Sequence, residues 1–304
     1  MRCSSFLSLE LAMSITWTAA AAPPADSQPA RVLPAGQTQR ELAAYLLGRI
    51  PAFEPPTDVQ VWASQAESLR RRVMEEVVFK GVPSCWRSGE VKIVWGDELE
   101  GDGYVIRKLR YEAVPGLWCG GLLYEPAGLI RRVPVVLCVN GHVGAPGMTI
   151  DYEQIKCINL AKRGFISLHP EWIGMGQLQG PGYGHGDLAW LDLCGVSGLS
   201  VFYQSLSRAL DVLLTHAHTD PDRLAVTGLS GGGWQTILIS ALDTRVKLSA
   251  PNAGYIGLRE RLHNQGDIGD LEQNPTDLVS IADYPWLTAL LAPRPALLIY
   301  NEKD

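Results

Sequence analysis

Ser230 stands at the centre of Gly228-Leu229-Ser230-Gly231-Gly232, a Gly-x-Ser-x-Gly pattern. A serine hydroxyl does not attack an ester carbonyl unaided. It needs a base to take its proton, an acid to orient that base, and N–H donors for the oxyanion that forms. The pattern offers the nucleophile and one donor. A serine at the tip of a sharp strand-to-helix turn is held where a substrate can reach it, and the N–H of Gly231 opens the helix behind it. Glycine is required beside the serine because so tight a turn leaves no room for side chains. An apolar run, Leu224-Ala225-Val226, leads in, and Gln235 to Leu242 is compatible with a helix. The competing reading is a glycine-rich turn that only packs.

The remaining parts must come from distant stretches. A second oxyanion donor is expected from the loop after a buried strand. Asn140-Gly141-His142-Val143-Gly144 is such a loop, and the backbone N–H of His142 or of Val143 is the candidate. The acid is expected in the loop beyond a later strand, which selects Asp304, with Glu302 as second choice. Asp243 reads as a helix end. The base is the difficulty. The histidines, at 142, 169, 185, 216, 218 and 263, all precede Asp304. His142 sits on the donor loop, His169 at a strand end, and His185 in a Gly-Tyr-Gly-His-Gly loop that could line a pocket. None is assigned as the base.

Two further patterns carry chemistry elsewhere. His216-Ala217-His218-Thr219-Asp220 has part of a zinc-binding spacing, but it ends a helix at the far end of the strand that leads to Ser230. Gly174-Met175-Gly176-Gln177-Leu178-Gln179-Gly180 nearly spells a dinucleotide fingerprint, with the last glycine misplaced and no helix behind it. No metal and no cofactor are expected.

The elements that would position these residues follow from periodicity. Thr38 to Ile50 and Val59 to Phe79 have helical spacing. Val91–Trp95, Tyr104–Val114 and Leu117–Tyr124 read as strands joined by hairpin turns at Asp102-Gly103 and Pro115-Gly116. The pattern then alternates strand and helix. Val133 to Val139 is almost wholly apolar, as in a parallel strand covered on both faces. A helix over Tyr152–Arg163, a strand over Gly164–His169, a long helix over Ser197–His216 and strands at Arg223–Gly228, Val246–Ala250 and Pro295–Tyr300 complete it. The expected class is α/β: a mostly parallel sheet with antiparallel strands in front and helices on both faces.

The chain has 304 residues, a formal net charge of -6 and no basic block. Nucleic-acid binding is excluded on that ground, since phosphate contacts need clustered Lys and Arg. The cysteines are scattered, with no C-x-x-C pair. Residues 1–22 resemble an export signal with small residues at Ala19–Ala22, and 23–37 read as a linker. A secreted or periplasmic location is therefore expected, or a cytoplasmic one if the leader is not used. Residues 38–88 are expected to form a helical extension and 89–304 the core. No stretch after the leader is apolar for long enough to span a membrane.

Taken in order, the motifs resemble those of the α/β-hydrolase superfamily, in its acetyl xylan esterase-like and dienelactone hydrolase-like branch. They are Leu123-Tyr124-Glu125-Pro126; Asn140-Gly141-His142; Leu160-Ala161-Lys162-Arg163-Gly164; Gly174-Met175-Gly176; Asp222 through Gly233; and Ala292-Pro293-Arg294-Pro295. The resemblance implies a serine carboxylic-ester hydrolase acting on a small-molecule or carbohydrate ester, with Ser230 as nucleophile and Asp304 as triad acid. It also implies the order serine, acid, histidine. The chain is therefore expected to be C-terminally truncated, with a last helix, a last strand and the histidine downstream. The Pro295 strand would then be an open sheet edge, and the product weakly stable and poorly active. The sequence departs from the family's pattern again at Pro170-Glu171-Trp172, where an aspartate is usual. Rival readings are a prolyl-oligopeptidase-type peptidase and a binding module with a broken triad.

Overall fold

The computed structural model describes residues 32–182, 184–263 and 271–300. Contacts divide the chain into two units, 1–42 and 43–304. The first contributes the start of helix α1 (Gln37–Leu47), which buries none of its residues. In the second, α2 (Val59–Arg72) begins at Asp58, whose carboxylate accepts from the N–H groups of Gln60 and Val61. That satisfies donors a helix start leaves open. A π-helical turn at Val73–Val78 follows, so the expected single helix changes pitch. The wider turn lets Val73, Val77 and Val78 all be buried. A short helix α3 (Ser84–Arg87) precedes the sheet.

The sheet has seven strands: β1 (Ile93–Gly101), β2 (Tyr104–Val114), β3 (Leu117–Pro126), β4 (Val133–Val139), β5 (Ile166–Pro170), β6 (Thr219–Leu229) and β7 (Leu248–Asn252), in the order β1-β2-β3-β5-β4-β6-β7. β1 to β3 are antiparallel and β3 meets β5 antiparallel. β5, β4, β6 and β7 are parallel neighbours. The connections are α4 (Asp151–Lys162), α5 (Ala189–Leu193) with α6 (Leu199–Thr215), and α7 (Gly231–Leu242); α8 (Leu258–Arg261) and α9 (Tyr284–Ala289) follow β7.

Side chains alternate across a strand, and β4 shows the result. Val135, Leu137 and Val139 join the large core that contains α6 and α7. Val136 and Cys138 point the other way, to Cys157 and Ala161 of α4. A run that is apolar on both faces is what two helical layers require. β2 keeps Leu109, Tyr111 and Ala113 buried and exposes Lys108 and Arg110, as its alternating sequence predicts.

The last expected strand is not regular. Pro295–Tyr300 makes only isolated parallel bridges to β7, at Ser249↔Ala296 and Asn252↔Ile299. Leu297 N–H donates to Ser249 O at 2.8 Å and Ala253 N–H to Ile299 O at 2.8 Å. Leu297, Leu298, Ile299 and Tyr300 are exposed. Asp304 and Glu302 lie outside the described residues, as does the leader. No helix among the described residues is long and apolar enough to cross a membrane.

Candidate functional site

Ser230 has φ 58° and ψ −124°, backbone angles that a residue with a side chain avoids unless its surroundings impose them. Three hydrogen bonds impose them here. Ser230 N–H donates to Asn252 O at 2.9 Å, and Ser230 O accepts from the N–H groups of Gly233 and Trp234 at 2.6 and 3.2 Å. The flanking glycines are forced by approach. A Cβ on Gly228 would stand 2.4 Å from Val139 O, and one on Gly232 would stand 2.3 Å from the same oxygen. The end of β4 and the start of α7 thus touch through the turn. The turn is the strained strand-to-helix elbow that the sequence pattern calls for.

The loop after β4 faces this turn. A Cβ on Gly141 would lie 3.0 Å from Gly231 N and 3.2 Å from Ser230 Cβ, so glycine at 141 keeps the Gly231 N–H open. Val143 N–H donates to Gly141 O at 2.9 Å and is engaged within the loop. Both expected donors, His142 and Val143, lie on this loop beside the elbow. The loop is pinned from behind. Gln235 of α7 donates to Asn140 O at 2.7 Å, Asn140 Nδ2 to Gly141 O at 3.1 Å, and His169 Nε2 to Asn140 Oδ1 at 3.2 Å. His169 is buried completely. Burial first, then the nearby Lys156 ammonium, pushes its pKa down to about 3, so it stays neutral and braces the loop.

Beside the elbow, side chains far apart in sequence meet. Trp172 places its ring edge 2.6 Å from where a Cβ on Gly231 would be, with His142 Nδ1 at 3.2 Å from the same point. The Trp172 ring packs 5.0 Å from His142 and 4.3 Å from His185, centroid to centroid. Behind these rings lies Glu272, fully buried. His142 Nε2 is 3.2 Å and His185 Nδ1 3.0 Å from Glu272 Oε2, and the two ring nitrogens are 3.1 Å apart. Burial alone would raise the Glu272 carboxyl, but the two imidazoles outweigh it and hold its pKa below the ordinary range. Its backbone is fixed by the elbow helix. Trp234 Nε1 donates to Tyr284 OH at 2.8 Å, and that hydroxyl donates to Glu272 O at 2.9 Å.

Glu171, where an aspartate was expected, is half of another device. Its carboxylate accepts from the N–H groups of Met148 at 2.8 Å and Gln177 at 3.2 Å. A Cβ on Gly176 would stand 2.3 Å from it. Gly176 and Gly147, where a Cβ would also stand 2.3 Å from Glu171, thus close over a carboxylate of the chain itself. A cleft of about 580 Å³ between Trp95, Lys108, Trp118, Met148 and Gln177 contains none of the elbow residues.

The structure brings Ser230, Gly231 and the His142–Val143 loop together, and beside them stands Glu272, in a turn with no motif around it, which the sequence did not single out. Sequence reasoning also treated His142 and His185 singly. Their separation of 43 residues gave no spacing signal. His216 is elsewhere, 2.8 Å from Glu125, and Asp220 is bound to Arg223 at 2.6 Å. His263 is exposed just beyond α8.

No known family profile and no curated protein matches the chain by sequence. Solved structures match by shape. A candidate acetyl xylan esterase from Bacteroides fragilis superposes with a TM-score of 0.70 at 20% identity, over 86% of this chain and 74% of that one. A methylesterase gives 0.62 at 22%, over 86% of this chain and 55% of its own length. A glucuronoyl esterase from Solibacter usitatus gives 0.58 at 15%, over 84% and 81%. With the sheet order and the elbow, these likenesses establish the α/β-hydrolase fold.

Proposed function

We propose that the protein is a serine carboxylic-ester hydrolase working through an acyl-enzyme on Ser230, with an acylated carbohydrate as substrate. The observation that carries this reading is the strained turn itself. Only an imposed backbone holds Ser230 at φ 58°, and it holds it opposite a glycine-bearing loop with an open N–H at Gly231. Ser230 Oγ attacks the ester carbonyl, and the carbonyl oxygen takes the charge between the N–H of Gly231 and that of His142 or Val143. The proton that Ser230 gives up ends on the departing alcohol as the C–O bond breaks. Water then attacks the serine ester, its hydroxyl going to the released acid and its proton back to Ser230 Oγ. Asp304 is the proposed triad acid, on family likeness. None of the described histidines is assigned as the base.

The carbohydrate part of the reading draws on the neighbours. Two of those above carry acetyl xylan and glucuronoyl esters in their names, which differ in acyl group and agree in being carbohydrate esters. A fluorophosphonate probe tests the nucleophile: the protein should label at Ser230, and the Ser230→Ala variant should not. A panel of acetylated sugars, aryl acetates and peptides tests the substrate class. Absence of labelling, with no turnover of any ester, would leave a binding module. Cleavage of peptides in preference to esters would make it a peptidase.

A further inference from the structure

The triangle of His142 Nε2, His185 Nδ1 and Glu272 Oε2 has edges of 3.1, 3.2 and 3.0 Å. We propose that the side chains of these three residues bind a divalent transition metal of the zinc type beside the elbow.

The first argument is electron-pair accounting. His185 Nε2 lies 2.9 Å from Ile173 O. A carbonyl only accepts, so Nε2 carries the hydrogen and Nδ1 of the neutral ring presents a lone pair. That lone pair faces a carboxylate oxygen and a second ring nitrogen. Atoms that repel one another converge only around a shared positive centre, which is either a proton or a metal ion. The second argument is size. Zinc bonds nitrogen and carboxylate oxygen at about 2.0–2.2 Å. Ligand atoms at that radius stand about 3.4 Å apart for tetrahedral angles and about 3.0 Å for right angles. The observed edges lie in this interval, and an ion resting about 1 Å off the plane of the three atoms would reach all of them.

The surroundings fit a metal better than a proton. The outer atoms of the ligands are anchored as metal ligands usually are. His185 is fixed by Ile173 O. Glu272 Oε1 accepts from Gln273 Nε2, and its backbone hangs from Tyr284. The ring of Trp172 packs against both imidazoles and restricts their rotation. Two imidazoles with one carboxylate suit zinc and its first-row neighbours, whereas calcium and magnesium prefer all-oxygen cages. Three protein ligands leave a coordination position for a further donor.

The proposal goes beyond the esterase reading and does not depend on it, because it is read out by binding. It also runs against the sequence-based expectation of no metal. The test strips the full chain with a chelator and titrates it with Zn²⁺ in competition with a chromophoric chelator. The wild type should take up about one zinc per chain, and Glu272→Gln and His185→Asn should each weaken it by at least about 100-fold. Co²⁺ should give a visible d–d spectrum on the wild type only. Since Glu272 and His185 are buried, His142→Asn, on a half-exposed side chain, is the variant that guards against misfolding. Added zinc should raise the melting temperature of the wild type and not that of this variant. If the stripped wild type binds zinc no more tightly than Glu272→Gln, or its melting does not move with zinc, the shared positive centre is a proton and the metal site is refuted.

Discussion

Two groups of histidines and carboxylates lie at opposite ends of β6. The pair at its start, His216 and His218 with Asp220, has ligand spacing in sequence and no convergence in space. Those rings are 5.8 Å apart, His216 goes to Glu125, and Asp220 goes to Arg223 and the N–H of Asp222. The trio beside its end, His142, His185 and Glu272, has no sequence spacing and converges within 3.2 Å. The difference is one of convergence. At the start of β6 each group turns to a separate partner, His216 to Glu125 and Asp220 to Arg223. Beside its end, three loops meet around the Trp172 ring and bring three ligand-type atoms to one point. Spacing in the chain predicts a ligand set only if the intervening backbone curls the residues together, and an extended strand entry does not.

The comparison can be sharpened by substitution and by pH, beginning with the elbow itself. Ser230→Ala should lower ester hydrolysis by at least about 10⁴-fold, as loss of the nucleophile does in serine hydrolases, with zinc uptake unchanged; steady-state kinetics and the zinc titration check both halves. Gly232→Ala puts a methyl group 2.3 Å from Val139 O. It should destabilise the chain by about 3 kcal/mol or more, since backbone must shift, measurable by urea unfolding. Acid should act through His169. Its folded pKa is depressed to about 3 against about 6.5 unfolded. Its contribution is therefore complete above about pH 6.5 and declines as pH falls from there toward 3. At pH 5 the loss is about 2 kcal/mol relative to pH 7, and His169→Gln should reduce that pH dependence.

The far end of β6 should respond more weakly. His216→Ala leaves buried Glu125 with Arg107 as its remaining charged partner, at 2.7 Å. The expected cost is about 1–3 kcal/mol, with no change in zinc affinity. Burial raises the Glu125 carboxyl, and His216 and Arg107 together bring it below its ordinary range. Its share of stability is thus present above about pH 4.3 and lost as pH falls through its folded value. His218→Ala should stay within about 0.5 kcal/mol and also leave zinc uptake alone. Zinc binding that fell with His216→Ala or His218→Ala and survived Glu272→Gln would reverse the assignment of the two groups.

Much of the architecture was legible in the residues. The apolar run of β4, the alternation of β2 and the glycines around Ser230 each state a local constraint, and local constraints are what a sequence displays. The elbow was legible because its glycines mark a turn with no room for side chains, although the atom they clear, Val139 O at the end of β4, is distant in sequence. The π turn after α2 was not, because the pitch of a helix end is set by what lies beneath it. The Pro295–Tyr300 stretch has strand composition, but it meets β7 only through isolated bridges. Glu272 was invisible because a lone carboxylate in a turn has no local signature. Its role comes from Trp172, His142 and His185, which approach only after the sheet has formed.

The hydrogen-bond chain from Trp234 through Tyr284 to Glu272 has a consequence for how the molecule opens. Trp234 belongs to the first turn of α7, and Glu272 to the segment that follows the β7 crossover. Their indole, phenol and carbonyl groups are buried in one core, so neither end can loosen without stranding a donor or acceptor at the other. The elbow and the neighbouring trio should then unfold as one cooperative unit. In native-state hydrogen exchange, the Trp234 indole N–H and the amides of α7 should share one opening free energy.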